Sequence, residues 1–355
     1  MKNYFDNLND ETKEYFRILS PEFPKWMHEY INTPELQRIH KISMCCGADY
    51  TKIFNVQYWF SNLDHSIGVA LIIWNFTKDK KQTLSGLFHD IATPTFKHCI
   101  DFMNGDSEHQ ESTEERTEQI IRNSKEIMDL LKRDNITVEE VSDYHMYPIA
   151  DNDTPQLSAD RFEYNFSSGL VLHRVWDLPS IREIYNDITV LKNENGISEL
   201  GFKTPAICEK YINTVSNLWP TWICDEDRAM MQFIADALKS MNKKGFITVD
   251  DLYKMSEKEV ITKILNCEDT YISDAFKKFQ NCSTIIASDE PFEGKYCTSV
   301  KTKKRYVNPL ALQDGLPKRI YDISESAKKN IDGYIEMYES KLSRYIGLDI
   351  EFKPY

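Results

Sequence analysis

The sequence predicts an all-α fold with a small α+β part at the C-terminus. Three observations carry that expectation. Glycine is scarce, with 12 in 355 residues. Apolar residues recur at helical spacing through most of the chain. Strand-like alternation is confined to "GFITV" (245–249) and "KRYVNPLAL" (304–312), with a weaker trace in "KRIYDIS" (318–324).

The opening "MKNYFDNLNDETKEYF" is acidic and amphipathic, which suits a helix and not a signal peptide. "HSIGVALIIWNF" sets Val69, Ile72, Ile73 and Phe76 on helical spacing and predicts a buried helix over about 63–76. "KKQTLSGLFHD" predicts a second helix ending near Asp90, and Pro94 blocks its continuation. "SEHQESTEERTEQIIRNS" reads as a third, acid-rich helix with "STEERTE" as a solvated face. "TVEEVSDY" offers a capping box, Thr137 to Glu140, and predicts a fourth. "PQLSADRFEYNFSSGLVLHRV", "TPAICEKYINTVSNL", "DEDRAMMQFIADALKSM" and "SEKEVITKILN" complete the helices, the last with Ser256 and Glu259 as its box. "NCSTIIASDEPFEGKYCTSVKTKK" reads as loop. The expected division is an N-terminal helical segment 1–31, a core 32–190, a helical extension 191–280 and a C-terminal α+β lobe 281–355.

Composition narrows the function. Lys+Arg 43 against Asp+Glu 56 gives a net charge of -13, which disfavours a surface built for nucleic-acid phosphates. A local basic pocket for a small phosphate-bearing substrate remains compatible with it. Eight cysteines without a C-x-x-C, two of them adjacent at Cys45 and Cys46, suit reduced thiols in a cytoplasmic protein. The longest clean apolar run, "IGVALIIW", is far too short to span a bilayer, so no membrane partner is expected.

"GLFHDIATPTFKH" (86–98) places His89 and Asp90 side by side where a buried run ends. A divalent metal needs nitrogen and oxygen ligands converging from separate elements. His89 and Asp90 supply one of each, and His65 and Asp160 are candidates for the others. This H…HD…D pattern resembles the HD superfamily of metal-dependent phosphohydrolases. "HSIGVALI" looks like that family's first-histidine helix, "GLFHDIATPTFKH" its HD stretch with the proline one residue early, and "SADRFEY" its final aspartate segment. "NTPELQRIHKI", "FITVDDLYKMSEKEVITKIL" and "KKRYVNPLAL" extend the likeness toward the dNTP triphosphohydrolases and their SAM-domain-linked relatives, with no SAM domain visible.

The resemblance implies an all-α HD-domain fold with a small α+β C-terminal part. It implies His65, His89, Asp90 and Asp160 as ligands of a divalent metal (Mn, Fe, Zn, Ni, Co or Mg). It implies His109 and Asp101 as an acid/base pair and Arg161 as a phosphate-contacting cation, with Arg38, His98 and Tyr164 as substrate contacts. His28, His145 and His173 carry no motif and read as structural. The sequence also departs from the family. Asn62 stands where the family often has Arg, and Thr93 where it has a further active-site His. Met44 replaces a polar residue that meets the sugar, Ser168 replaces an acidic one near Tyr164, and the 217–227 stretch is acidic and Trp-rich where the dNTP enzymes are basic. The expected function is metal-dependent hydrolysis of a small phosphate ester, a nucleotide foremost, by a homo-oligomer with the 217–227 stretch as a candidate subunit contact. A non-catalytic nucleotide-binding HD protein and an HD nuclease or phosphodiesterase remain as alternatives.

Overall fold

Ser61 opens the helix that carries the first candidate ligand. Its hydroxyl accepts from the Asp64 N–H at 3.1 Å, and the Asp64 carboxylate accepts from the Ser61 N–H at 2.7 Å. This capping box fixes the start of the helix Asn62–Thr77, so His65 is held one turn in. Twelve of its sixteen residues are buried, which is what a helix apolar on every face requires. The computed structural model describes residues 4–113 and 116–355.

The helix Lys80–Phe88 follows, capped by the Asp79 carboxylate, and brings His89 to its C-terminal end. Gly86 lets this helix approach its predecessor. A Cβ there would lie 2.2 Å from Ile73 Cδ1. The helix Ala159–Val171 crosses the first one, with Ser158 as its N-cap and Asp160 in its first turn. Further on run the helices Pro205–Val215, Asp225–Lys243, Glu257–Leu265, Thr270–Gln280 and Glu325–Ser340. The Ser256–Glu259 capping box is present as expected.

Among the described residues, seven short strands form two sheets. They are β1 (Ile188–Lys192), β2 (Ser198–Phe202), β3 (Ile286–Ser288), β4 (Tyr296–Thr298), β5 (Leu310–Gln313), β6 (Leu316–Arg319) and β7 (Tyr345–Leu348). One sheet runs β1-β2-β5-β6 with β2 parallel to β5, and the other runs β3-β7-β4, antiparallel throughout.

Several sequence expectations change here. "GFITV" is not a strand: Gly245, at φ 76, ends one helix and a Thr248–Asp251 capping box starts the next. Local capping outweighs a short alternating run. The region 191–280 is not wholly helical, because β1 and β2 form a hairpin. The expected loop 281–304 contributes β3 and β4, which clamp β7 from both sides. The Thr137–Glu140 contact forms at 2.9 Å, but no helix grows from it. The Glu140 carboxylate is taken by Lys81 and its carbonyl by the Tyr147 hydroxyl, which holds a single turn. The third helix is restricted to Thr117–Asn123, with residues 107–109 in a turn and Glu114 and Glu115 outside the described residues.

Two hydrophobic clusters organise the interior of the described residues. One takes residues from Tyr4 to Tyr334 and includes the His65 helix, and the other gathers on the helix Asp225–Lys243. The "GLFHDIATPTFKH" stretch crosses between them: Phe88 and Ile91 belong to the first, and Phe96 to the second. Thr95 pins the crossing by donating to the carbonyls of Leu252 and Met255 at 3.0 and 2.8 Å. No described helix is long and apolar enough to cross a membrane.

Candidate metal and phosphate site

His65, His89 and Asp160 converge from three helices. The two Nε2 atoms lie 3.2 Å apart, and Asp160 Oδ1 lies 3.1 Å from His65 Nε2 and 3.7 Å from His89 Nε2. One ligand atom from each falls within 4.8 Å of the others. The outward nitrogens are already engaged. His89 Nδ1 meets the Gly86 carbonyl at 2.7 Å, and His65 Nδ1 meets the Glu163 carboxylate. Each Nδ1 therefore carries the proton, and each Nε2 presents a lone pair. Two lone pairs and a carboxylate aimed at one point repel one another unless a cation lies among them. The donor set thus fits a divalent ion, with Nδ1 partners of the kind that orient metal-bound imidazoles. Burial disfavours a charged His65, yet Glu163 and Asp160 outweigh it and push its pKa up to about 9. A proton there is the electrostatic substitute for a metal. Burial likewise opposes charge on Asp160, and His65 overrides it, holding that carboxyl well below its usual range.

Glu163 is the residue that sequence reasoning passed over. It is fully buried and held by Tyr15 Oη at 3.0 Å and Ser167 Oγ at 3.1 Å. Gly68 makes room for it, since a Cβ there would meet Glu163 Cγ at 2.7 Å. The available signal was spacing: Glu163 is three residues after Asp160, on the same helical face.

Asp90 stands further out, with Oδ2 3.9 Å from His65 Nε2 and 3.6 Å from His89 Nε2. Its firm partner is Lys97, whose Nζ lies 3.0 Å from that oxygen. Burial opposes the Asp90 charge, and Lys97, His89 and His65 more than offset it, so the carboxyl stays far below its ordinary range. Lys97 Nζ also donates to Asn62 Oδ1, and Asn62 Nδ2 donates to Thr93 Oγ1 at 3.1 Å. Asn62 and Thr93, two of the positions that depart from the pattern in the sequence, thus bond to each other, and Lys97 brings the positive charge to them. Phe96 and Lys97 both take left-handed backbone, φ 66 and 47, to deliver that ammonium inward.

A cavity of about 330 Å³ opens beside these residues. His65, His89, Asp90, His98, Asp160, Arg161 and Tyr164 line it. Arg161 is held by Asp151 at 3.1 Å, Asn152 at 2.6 Å and the Gln156 carbonyl at 2.8 Å. Tyr164 packs edge-on against Trp222 at 5.3 Å between ring centres. Arg305, from the chain segment before β5, reaches the same cavity and places Nη2 3.3 Å from His98 Nε2.

Other expected site residues are placed elsewhere. Arg38 does not line the cavity; it donates to the carbonyls of Ile91 at 2.9 Å and Thr93 at 2.8 Å and so braces the loop after the HD pair. The pairing of His109 with Asp101 is not formed. His109 is 80% exposed and pairs with Asp106 at 3.3 Å, because its segment is a turn and not a helix aimed inward. Asp101 is fully buried and meets His98 Nδ1 at 3.0 Å, while Ser112 Oγ donates to its other oxygen at 2.7 Å. Burial lowers the His98 pKa and Asp101 only partly restores it, so the imidazole is neutral at pH 7 with Nε2 toward the cavity. His145, expected to be structural, also lines the cavity and lies 3.4 Å from Asp151. Trp219 is fully buried within the chain against Tyr306 and Tyr334.

No family model matches the chain. Among curated proteins, it is 22% identical over 311 residues to the uncharacterised protein YdhJ of Bacillus subtilis, covering 85% of this chain and 89% of that one. It is 24% identical over 139 residues to the metal-dependent phosphohydrolase cns2 of Cordyceps militaris, covering 38% of each. Among solved structures, a phosphohydrolase from Bacteroides thetaiotaomicron superposes with a TM-score of 0.63 at 13% identity, over 93% of this chain and 97% of that one. The fold is that of a solved phosphohydrolase. A hypothetical protein from Aquifex aeolicus gives the same TM-score of 0.63 at 15% identity, over 86% and 89% of the two chains.

Proposed function

We propose that this protein is a metal-dependent phosphohydrolase of the HD type whose substrate is a small phosphate ester, a nucleotide foremost. The observation that carries the reading is the convergence of His65 Nε2, His89 Nε2 and Asp160 Oδ1 on one point in a cavity wall. The solved phosphohydrolase of the same fold and the metal-dependent relative support it. His65, His89 and Asp160 would hold the ion, with Asp90 adding charge from slightly further away. A divalent cation in such a site supplies polarisation of a phosphoryl oxygen and a more acidic water.

The rest belongs to the chain's own groups. Glu163 and the Gly86 carbonyl fix the two imidazole rings. Lys97 keeps Asp90 ionised. Asp101 orients His98 through Nδ1, so that Nε2 can take a proton at the cavity face and return it to a leaving oxygen. Tyr164 and Trp222 form an aromatic wall suited to a flat, apolar leaving group. The test is a panel of phosphate esters with Mg, Mn, Fe, Co, Ni or Zn, read by phosphate and polyphosphate release. Turnover of at least one ester that vanishes on chelation supports the reading. Inertness toward every ester with every metal would defeat it.

A further inference from the structure

The charges around the cavity are nearly all spoken for. Among the described residues, six carboxylates line it: Asp90, Glu111, Asp151, Asp153, Asp160 and Asp227. Its Lys and Arg side chains number five, and four of them are paired with acids. Lys97 meets Asp90 at 3.0 Å, Arg161 meets Asp151 at 3.1 Å, Lys303 meets Glu111 at 3.3 Å and Lys304 meets Glu339 at 3.2 Å. Arg305 is different. Among the described residues it forms no direct ion pair: its hydrogen-bond partners are Gln110 Oε1 and His98 Nε2, and the Tyr164 ring lies at 5.9 Å. The nearby carboxyl that feels its charge, Asp227, is pushed up by burial to about 7.

A phosphate monoester carries roughly -1.5 to -2 at neutral pH, from a second pKa of about 6. One guanidinium without a direct ion pair, in the same cavity as one candidate divalent-cation site, matches a group of that charge. A guanidinium also presents its N–H groups as a planar fork that fits two oxygens of one phosphate. A triphosphate chain brings further negative charge. Lys97 and Arg161 could meet it only by leaving Asp90 and Asp151, their partners in buried pairs, which is costly. Lys303 and Lys304 sit in exposed pairs, with acids 65% and 61% exposed, that break cheaply. The buried part of the cavity therefore offers free charge for one phosphoryl group.

We propose that Arg305 seats a single terminal phosphoryl group and that the site takes phosphate monoesters in preference to triphosphates. This rests on the phosphohydrolase reading for its chemistry, but the seat itself concerns binding. The reaction is the addition of water across the P–O ester bond. The P–O(ester) bond breaks, a P–O bond to the water oxygen forms, and the alcohol leaves with one proton.

The experiment has a binding arm and a turnover arm, both on the full chain loaded with Mn. In the binding arm, orthophosphate and tripolyphosphate are compared by their thermal-shift midpoints for wild type, Arg305→Lys and Arg305→Met. Arg305→Lys keeps the charge and loses the fork, and its unliganded melting temperature reports whether it folds. The proposal expects orthophosphate to bind wild type more tightly than tripolyphosphate, with a loss of about tenfold or more in either variant. In the turnover arm, p-nitrophenyl phosphate and nucleoside monophosphates are compared with nucleoside triphosphates. Orthophosphate release from the monoesters at a kcat/KM at least about tenfold above the triphosphates supports the proposal. Release of tripolyphosphate at the higher rate overturns it and leaves the phosphohydrolase reading standing. A chain that turns over nothing yet binds orthophosphate through Arg305 upholds the seat and defeats the phosphohydrolase reading. Unchanged orthophosphate binding in a folded Arg305→Lys overturns the seat outright.

Discussion

Asn62 Nδ2 donates to Thr93 Oγ1 at 3.1 Å, and the other end of the same amide receives Lys97. These contacts tie the first turn of the His65 helix to the loop after the HD pair. They leave Lys97 as the main countercharge of Asp90. Lys97→Met is therefore expected to destabilise the fold by about 3 kcal/mol, the scale for breaking a buried ion pair from one side. Lys97→Met combined with Asp90→Asn should recover part of that loss, because the stranded charge is gone. Chemical denaturation of the three proteins checks it, and additive losses would mean that the pair is not coupled.

Glu163→Gln keeps the side-chain shape and removes the charge that holds the His65 Nδ1 proton. Metal affinity is expected to fall about 10–100-fold, the usual range for losing such a partner. Gly68→Ala should act in the same direction by displacing Glu163. Metal titration of the two variants reads the effect. Wild-type affinity in Glu163→Gln would show that the ring is oriented without it.

Proton transfer separates two histidines. His98→Gln is expected to lower kcat by about 10²–10⁴-fold, the range for a general acid or base, with metal content unchanged. His109→Gln should leave kcat close to wild type, because that ring is 80% exposed and paired with Asp106 outside the cavity. Because burial lowers the His98 pKa, the acid limb of kcat/KM should lie below the ordinary histidine value of about 6.5. Steady-state rates across pH settle both statements, and the reverse order of the two variants would return the acid/base role to His109.

Glu257 gives a pH signature away from the site. It is fully buried, bonded to Tyr50 Oη at 2.8 Å and the Ser43 N–H at 3.1 Å, and burial pushes its pKa up to about 8. The unfolded value is about 4.3. Between those values the folded protein keeps a proton that the unfolded chain has released. Stability therefore falls as pH rises through that window. Asp49, whose pKa burial also raises, adds to the same slope. Glu257→Gln should flatten the fall between about pH 5 and 8, measured by denaturation midpoints. An unchanged slope would place the buried proton elsewhere.

The residues that converge as a candidate metal site, His65, His89 and Asp160, could be singled out in the sequence because their signals are local: a histidine at the start of an apolar helix, a His-Asp dipeptide where the next helix ends, and an aspartate just inside a capped helix start. Glu163 was legible in principle from its spacing to Asp160. Arg305 lies in the quoted "KKRYVNPLAL" stretch, but its place in the cavity was not legible, because it reaches His98 across 207 positions of chain, a contact only tertiary packing makes. Asp101 was legible but its partner was not. The choice between His98 and His109 depended on whether residues 107–109 continue a helix, and they form a turn. The β1–β2 hairpin carried a signal that was passed over, Asn195-Gly196 between "ITVLK" and "SELGF". β3 and β4 carried little signal, since strands of three residues draw their stability from β7 and not from their own pattern.

The central claim is that His65, His89 and Asp160 hold one divalent cation. Elemental analysis of the purified chain beside Asp160→Ala tests it most directly. The expected result is about one transition-metal ion per wild-type chain at the 2.0–2.2 Å ligand distances of such sites, and near-complete loss of it in a folded Asp160→Ala. A wild-type chain that takes up no divalent metal, or an Asp160→Ala that keeps it at full occupancy, would contradict the account.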